Sequence, residues 1–164
     1  MASEKKSAVL VILESPGYWL MLKRNRTPNL GLYTPVGGKL EPGESPRAAA
    51  IREVKEEVGI KLQDISYSGL LVDSSPRDYN WICFVYRARV NYFKPPICDE
   101  GKLSWIPVDS LDTLPRPASD SYLYRYILSE QPFFLNAVYS DEDCLVEISE
   151  EISGEIHSVE SLEN

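Results

Sequence analysis

The chain has 164 residues, 43% of them apolar and 10% aromatic, and carries a net charge of −8. This size and composition predict one globular domain able to bury a sizeable core, and they exclude collagen-like, low-complexity and disulfide-scaffold classes. An acidic balance with no basic stripe also speaks against a nucleic-acid polymer or an anionic membrane as partner, since both select Lys/Arg-rich surfaces.

The charge is unevenly placed. All 17 Lys and Arg lie at or before Arg125, while Glu130, Asp141, Glu142, Asp143, Glu147, Glu150, Glu151, Glu155, Glu160 and Glu163 follow it. Cys83, Cys98 and Cys144 are odd in number and widely spaced, so no disulfide framework or CxxC pair is written in the chain, and a reducing, cytoplasmic setting is expected. The apolar run Ala8–Leu13 ends at Glu14 after six residues, too short for a signal core or a membrane span.

In chain order, apolar and β-branched runs at 7–13, 18–23, 65–72, 79–90, 133–139 and 144–149 predict strands, with Leu32–Val36 extended as well. A first helix is bounded by Ser45 as N-cap, Pro46 at the first helical position and Gly59 as the stop. A second covers about 120–129, where Tyr122/Tyr126 and Leu123/Ile127 repeat at i, i+4, and prolines 95, 96, 107, 115 and 117 punctuate the connection before it. Phe133–Tyr139 and Cys144–Ser149, joined by Ser140–Asp143, read as a hairpin. The domain is expected to span 1–152, with 153–164 a disordered acidic tail in which His157 is incidental.

On a helical wheel of 46–58, Glu53, Glu56 and Glu57 share one face, preceded by the small Ala49 and Ala50, and Ile51, Val54 and Val58 form the packing face. Like charges at these spacings repel, and a hard divalent cation with oxygen ligands would neutralise them; a plain solvated acidic face is the alternative. Ahead of the helix stand Gly37-Gly38 and Glu41-Pro42-Gly43-Glu44. Gly38, Glu44, Arg52, Glu53, Val54, Glu56, Glu57, Gly59 and Ile60 complete G-x5-E-x7-R-E-U-x-E-E-x-G-U, where U is a bulky aliphatic residue. A chance match to all nine positions is on the order of 10⁻⁷.

This pattern resembles the Nudix box. The resemblance implies an α+β fold with a mixed β-sheet sandwiched between helices (α/β/α) and a hydrolase that directs water at a diphosphate linkage. It also implies Mg²⁺, or Mn²⁺, held by the Gly37 carbonyl, Glu53, Glu56, Glu57 and a downstream acid, Glu100. Glu53 would act as base, Arg52 would orient the carboxylates and Glu44 would brace the loop. Beyond the box, residues 5–152 resemble MutT-type enzymes, in particular the 8-oxo-dGTP diphosphatase branch, which converts oxidised purine triphosphates to monophosphate and pyrophosphate. That likeness implies a small nucleotide as substrate, with Lys23, Thr34, Gly38 and Asp120 binding it, in a monomer or homodimer. Against the branch pattern, Ser119 stands for the first of two acids, Pro117 lies near an expected Trp and Thr34 replaces an Asn. Asp120 could instead cap the second helix. Pro76, sixteen residues past Ile60, resembles a mark of ADP-ribose-cleaving members, the first alternative. The second is a non-catalytic nucleotide-binding module, expected to lose one of Arg52, Glu53, Glu56 or Glu57; all four are present.

Overall fold

The computed structural model describes residues 4–157 and Val159. The elements in chain order are β1 (Lys6–Ser15), β2 (Tyr18–Arg24), β3 (Tyr33–Lys39), α1 (Pro46–Val58), β4 (Ser66–Ser74), β5 (Trp81–Arg89), β6 (Gly101–Pro107), α2 (Asp120–Leu128), β7 (Phe133–Tyr139), β8 (Leu145–Glu150) and β9 (Glu155–His157). A 3-10 turn, Val108–Thr113, follows β6. The class is α+β with a mixed sheet, and no helix among the described residues is long and apolar enough to cross a membrane.

Two compact units share the chain. The first comprises Ala8–Tyr67 and Phe84–Pro117 and carries the strand order β6-β2-β3-β1-β5. Its pairings β1–β2, β1–β3, β2–β3 and β2–β6 are antiparallel, with Leu13 opposite Leu20, Val9 opposite Gly38, Met21 opposite Pro35 and Leu20 opposite Trp105. One face of this sheet receives α1. Val9, Val11, Leu13, Leu20, Leu22, Val36, Tyr86, Ala88, Leu103 and Trp105 pack in one core with Ala49, Ala50, Val54 and Val58 of the helix. Fully burying each larger aliphatic side chain contributes roughly 1.5–3 kcal/mol.

β6 lies in the stretch read from sequence as a proline-punctuated connection. Its alternation is clear once the register with β2 is known: Leu103 and Trp105 point into the core while Lys102, Ser104 and Ile106 do not. The prolines merely bracket it, with Pro107 as its final residue, where a missing N–H costs little.

The second unit comprises the described parts of Met1–Ser7, Ser68–Cys83 and Ala118–Asn164. Here β4 and β7 pair in parallel, Gly69 opposite Phe133, and β7, β8 and β9 continue antiparallel. Leu123, Tyr124 and Ile127 are the buried face of α2, and Phe133, Leu135 and Ala137 alternate inward along β7. The expected hairpin is present, with Asp143 at φ 59 in its turn. The tail expected from 153 is not. Glu155–His157 pairs with Ile148–Glu150, and Tyr126 Oη lies 2.9 Å from His157 Nε2. A polar composition concealed this strand, because its order comes from backbone pairing and the contacts of His157 with Tyr122 and Tyr126 rather than from apolar content. The rest of that expected tail, apart from Val159, lies outside the described residues.

Candidate active site

Helix α1 begins and ends where local chemistry dictates. Ser45 Oγ accepts from the Ala48 amide at 3.2 Å, Pro46 occupies the first turn, and Gly59 closes the helix at φ 79. Arg52, at the helix centre, is saturated with acceptors. Its Nε and Nη2 donate to the two oxygens of Glu44 at 2.8 and 2.9 Å, and Nη1 donates to Glu53 Oε1 at 2.8 Å and Glu56 Oε2 at 3.2 Å. Nη2 also donates to the Lys39 carbonyl at 3.0 Å. Glu44 in turn accepts the Glu41 amide at 3.0 Å, so it braces the loop as expected. The Arg52 hydrogen bonds are the main cause holding the Glu44 carboxyl down at about 2.

The three glutamates do not share one environment, which corrects the single acidic face drawn from the wheel. Glu56 is exposed, Glu53 is largely covered with Oε1 on Arg52, and Glu57 is buried at 8% exposure beside the core face. Ala49 and Ala50, read as leaving space above the carboxylates, are fully buried among core residues. The helix sits deep enough against the sheet for Glu57 to go in with Val54 and Val58.

Among the described residues neither oxygen of Glu57 has a hydrogen-bond partner. Burial is the largest cause raising its pKa, to about 8; the charges of Glu100 and Glu53 add to it, and the nearby Gly37 backbone, outside bonding geometry, offsets only part. Burial likewise raises Glu53, opposed by Arg52 and reinforced by Glu56 and Glu100. Glu100, at the turn before β6, is thus brought electrostatically to Glu53 and Glu57 across more than forty residues of sequence.

The glycine pair is explained by space. A Cβ on Gly37 would strike the backbone of Val9 on β1, and one on Gly38 would strike the Glu53 carboxylate. Gly38 therefore makes room for a functional side chain, and Gly37 for the neighbouring strand. Lys23 is exposed, its Nζ 5.7 Å from the Tyr33 ring centre, and Thr34 is buried opposite Leu22. In the other unit Asp120 is buried and accepts the Tyr124 hydroxyl at 2.9 Å; Ser119, not Asp120, is the N-cap of α2, and its Oγ accepts the Tyr139 hydroxyl at 2.9 Å rather than a helix amide.

Sequence reasoning missed Arg24 and Arg26, which face Glu100, although the run Lys23-Arg24-Asn25-Arg26 was visible. It also missed Asp73, a buried aspartate just past the predicted strand run 65–72, for which no sequence signal specified burial.

The donor set suits a divalent cation. Three carboxylates repel one another, one of them buried with both oxygens unpartnered, and the nearby Arg52 is committed to five acceptor atoms. All are hard oxygen ligands, the type Mg²⁺ and Mn²⁺ take. Among the described residues no three acidic, His or Cys side chains converge on one point, because Arg52 draws the carboxylates of Glu53 and Glu56 toward itself.

A family model described as the NUDIX domain matches residues 4–127. The chain is 29% identical over 126 residues to an uncharacterized Nudix hydrolase, YvcI, of Bacillus subtilis, covering 73% of this chain and 77% of that protein. It is 28% identical over 114 residues to the NAD-capped RNA hydrolase NudC of Chromobacterium violaceum, covering 69% of this chain but only 42% of that relative's length. In fold it is similar to a MutT protein from Bacillus halodurans, with a TM-score of 0.78 and 24% identity over 90% of this chain and 98% of that one. The chain belongs to the NUDIX family and is a Nudix-type pyrophosphohydrolase, acting on diphosphate linkages.

Proposed function

We propose that the protein is a divalent-metal-dependent nucleoside triphosphate pyrophosphohydrolase, which cleaves NTP to NMP and pyrophosphate. The observation that carries the reading is the buried, unpartnered Glu57 carboxylate beside Glu53 and Glu100. The resemblance of residues 5–152 to MutT-type enzymes supports the choice of a triphosphate.

Glu53, Glu56, Glu57, Glu100 and the Gly37 carbonyl would hold the cation. Bound there, Mg²⁺ or Mn²⁺ supplies positive charge to phosphate oxygens and lowers the pKa of water. Glu53 accepts the proton of the attacking water; its Oε1 is anchored by Arg52, and burial raises its affinity for that proton. Arg52 keeps Glu53 oriented and, through Glu44, fixes the loop. Lys23 supplies an exposed cation for the phosphate chain, Gly38 leaves room beside Glu53, and Thr34 contributes a polar group for the nucleoside. Oxidised purine triphosphates such as 8-oxo-dGTP are the first class to test. Three free cysteines support a cytoplasmic setting.

A second reading, a nucleoside diphosphate linked to another group such as ADP-ribose, is favoured by the similarity to proteins named NAD-capped RNA hydrolases. The two separate in a panel of canonical and oxidised (deoxy)nucleoside triphosphates and ADP-ribose with products resolved. Monophosphate plus pyrophosphate is expected, lost about a hundredfold or more in Glu53→Gln. AMP and ribose phosphate formed from ADP-ribose alone would overturn the triphosphate reading.

A further inference from the structure

The end of β2 and the loop that follows it carry two cations besides Lys23, and each is fixed by its own backbone anchor. Arg24 Nε donates to the Pro28 carbonyl at 2.7 Å, and Arg26 Nη2 donates to the Asp99 carbonyl at 2.9 Å. The remaining edges of both guanidinia converge on one carboxylate: Arg24 Nη1 is 3.6 Å from Glu100 Oε2, and Arg26 Nη1 is 3.8 Å from Oε1. Each oxygen of Glu100 therefore faces one guanidinium, at distances beyond the ~3.2 Å of a good N–H···O bond. The turn does not depend on these ion pairs, because Asn25 binds it twice, from its amide N–H to the Glu100 carbonyl at 2.9 Å and from Nδ2 to the Asp99 carbonyl at 3.0 Å. What remains is a pair of oriented guanidinia around a loosely fitting internal anion.

Glu100 has a competing demand, because it also lies in the field of Glu53 and Glu57, whose carboxylates would gain from a shared cation. A polyphosphate needs cationic partners beyond one divalent metal, and planar guanidinia with several N–H donors suit phosphate oxygens. We propose that Arg24 and Arg26 form a subsite for the phosphate chain of the substrate, occupied by Glu100 until that carboxylate turns to the cation held with Glu53 and Glu57. The proposal rests on the reading of a phosphoanhydride substrate and a divalent cation given above. It makes cation and phosphate binding mutually supportive: the cation removes the internal anion, and the vacated guanidinia receive the external one.

The test uses the whole protein with two anions, inorganic tripolyphosphate and a non-hydrolysable nucleoside triphosphate analogue, measured by titration calorimetry with Mg²⁺. Mn²⁺ binding without anion is followed separately by paramagnetic resonance. Arg26→Ala, at a half-exposed side chain, and its combination with Arg24→Lys are each expected to weaken both anions about tenfold or more. Mn²⁺ affinity should be unchanged or tighter, because Glu100 loses its competing partners. Without metal, Glu100→Gln should tighten tripolyphosphate binding, and this gain should vanish in the arginine double variant. Unchanged anion affinity in the arginine variants overturns the subsite. A parallel loss of Mn²⁺ affinity does so too, since the pair would then only position Glu100. If tripolyphosphate binds through the arginines but the analogue does not bind, the nucleotide reading fails and the subsite stands; if neither binds the wild type, the subsite falls.

Discussion

Within one turn and a half of α1, three glutamates meet three different environments, and Glu57 has the least favourable for a charge. Its folded pKa, about 8, lies above the ordinary 4.5 because burial and the charges of Glu100 and Glu53 penalise ionisation. The folded state thus holds this proton more tightly than the unfolded chain. Its contribution to stability is fully present below about pH 4.5 and is lost as pH rises through about 8, a difference on the order of 3–5 kcal/mol. In chelator, Glu57→Gln should flatten the fall in urea-unfolding free energy between pH 6 and 9, and Mg²⁺ should stabilise the wild type most at the alkaline end. Equal pH slopes for wild type and variant would refute this account of Glu57. Asp73, raised to about 7 chiefly by burial, leaves both proteins a residual slope at lower pH. None of this was legible from Glu57's place in the sequence, because the wheel gives angles around the helix axis and not how deeply the helix lies on the sheet.

At the scale of elements, β3 and α1 are coupled through two glycines that do different work. Gly37→Ala would press a methyl group against the backbone of Val9, which cannot move without displacing β1. Gly38→Ala would press one against the Glu53 carboxylate, a side chain that can turn away. The first substitution is therefore expected to cost about 2–3 kcal/mol of stability, within the range of overpacking, and the second chiefly activity. Thermal melting beside steady-state rates checks this, and a Gly38→Ala protein with full activity would contradict the role given to that glycine. The limits of α1 were readable because Ser45, Pro46 and Gly59 act on their own backbone within a few residues. β6 was not, because Leu103 and Trp105 acquire a pattern only against the register of β2.

Across the whole molecule the net charge of −8 separates into parts with different roles. Several late acids belong to ordered structure. Glu150 is the clearest: burial alone would raise its pKa, but its carboxylate accepts the amides of Phe134, Ile152 and Ser153 and is held down at about 2. Those contacts fix the turn that leads β8 into β9. Ending the chain after Gly154 removes β9 and the Tyr126–His157 contact and should lower the melting temperature by a few degrees. Metal-dependent hydrolysis should persist in the truncated protein; its loss would give the C-terminal segment a part in the reaction.

The nine-position box, the boundaries of α1 and the hairpin were all determined by the sequence, since each follows from short-range spacing or from residue chemistry acting locally, and the brace of Glu44 on its loop was implied by the family resemblance. Only tertiary structure decided that Glu57 is buried and unpaired, that Glu100 comes near it from a distant turn, that Arg24 and Arg26 face Glu100, and that Glu155–His157 is a strand. These depend on strand register and on how far each group is removed from water. Both are fixed by contacts between residues remote along the chain, and so they carry no local signature.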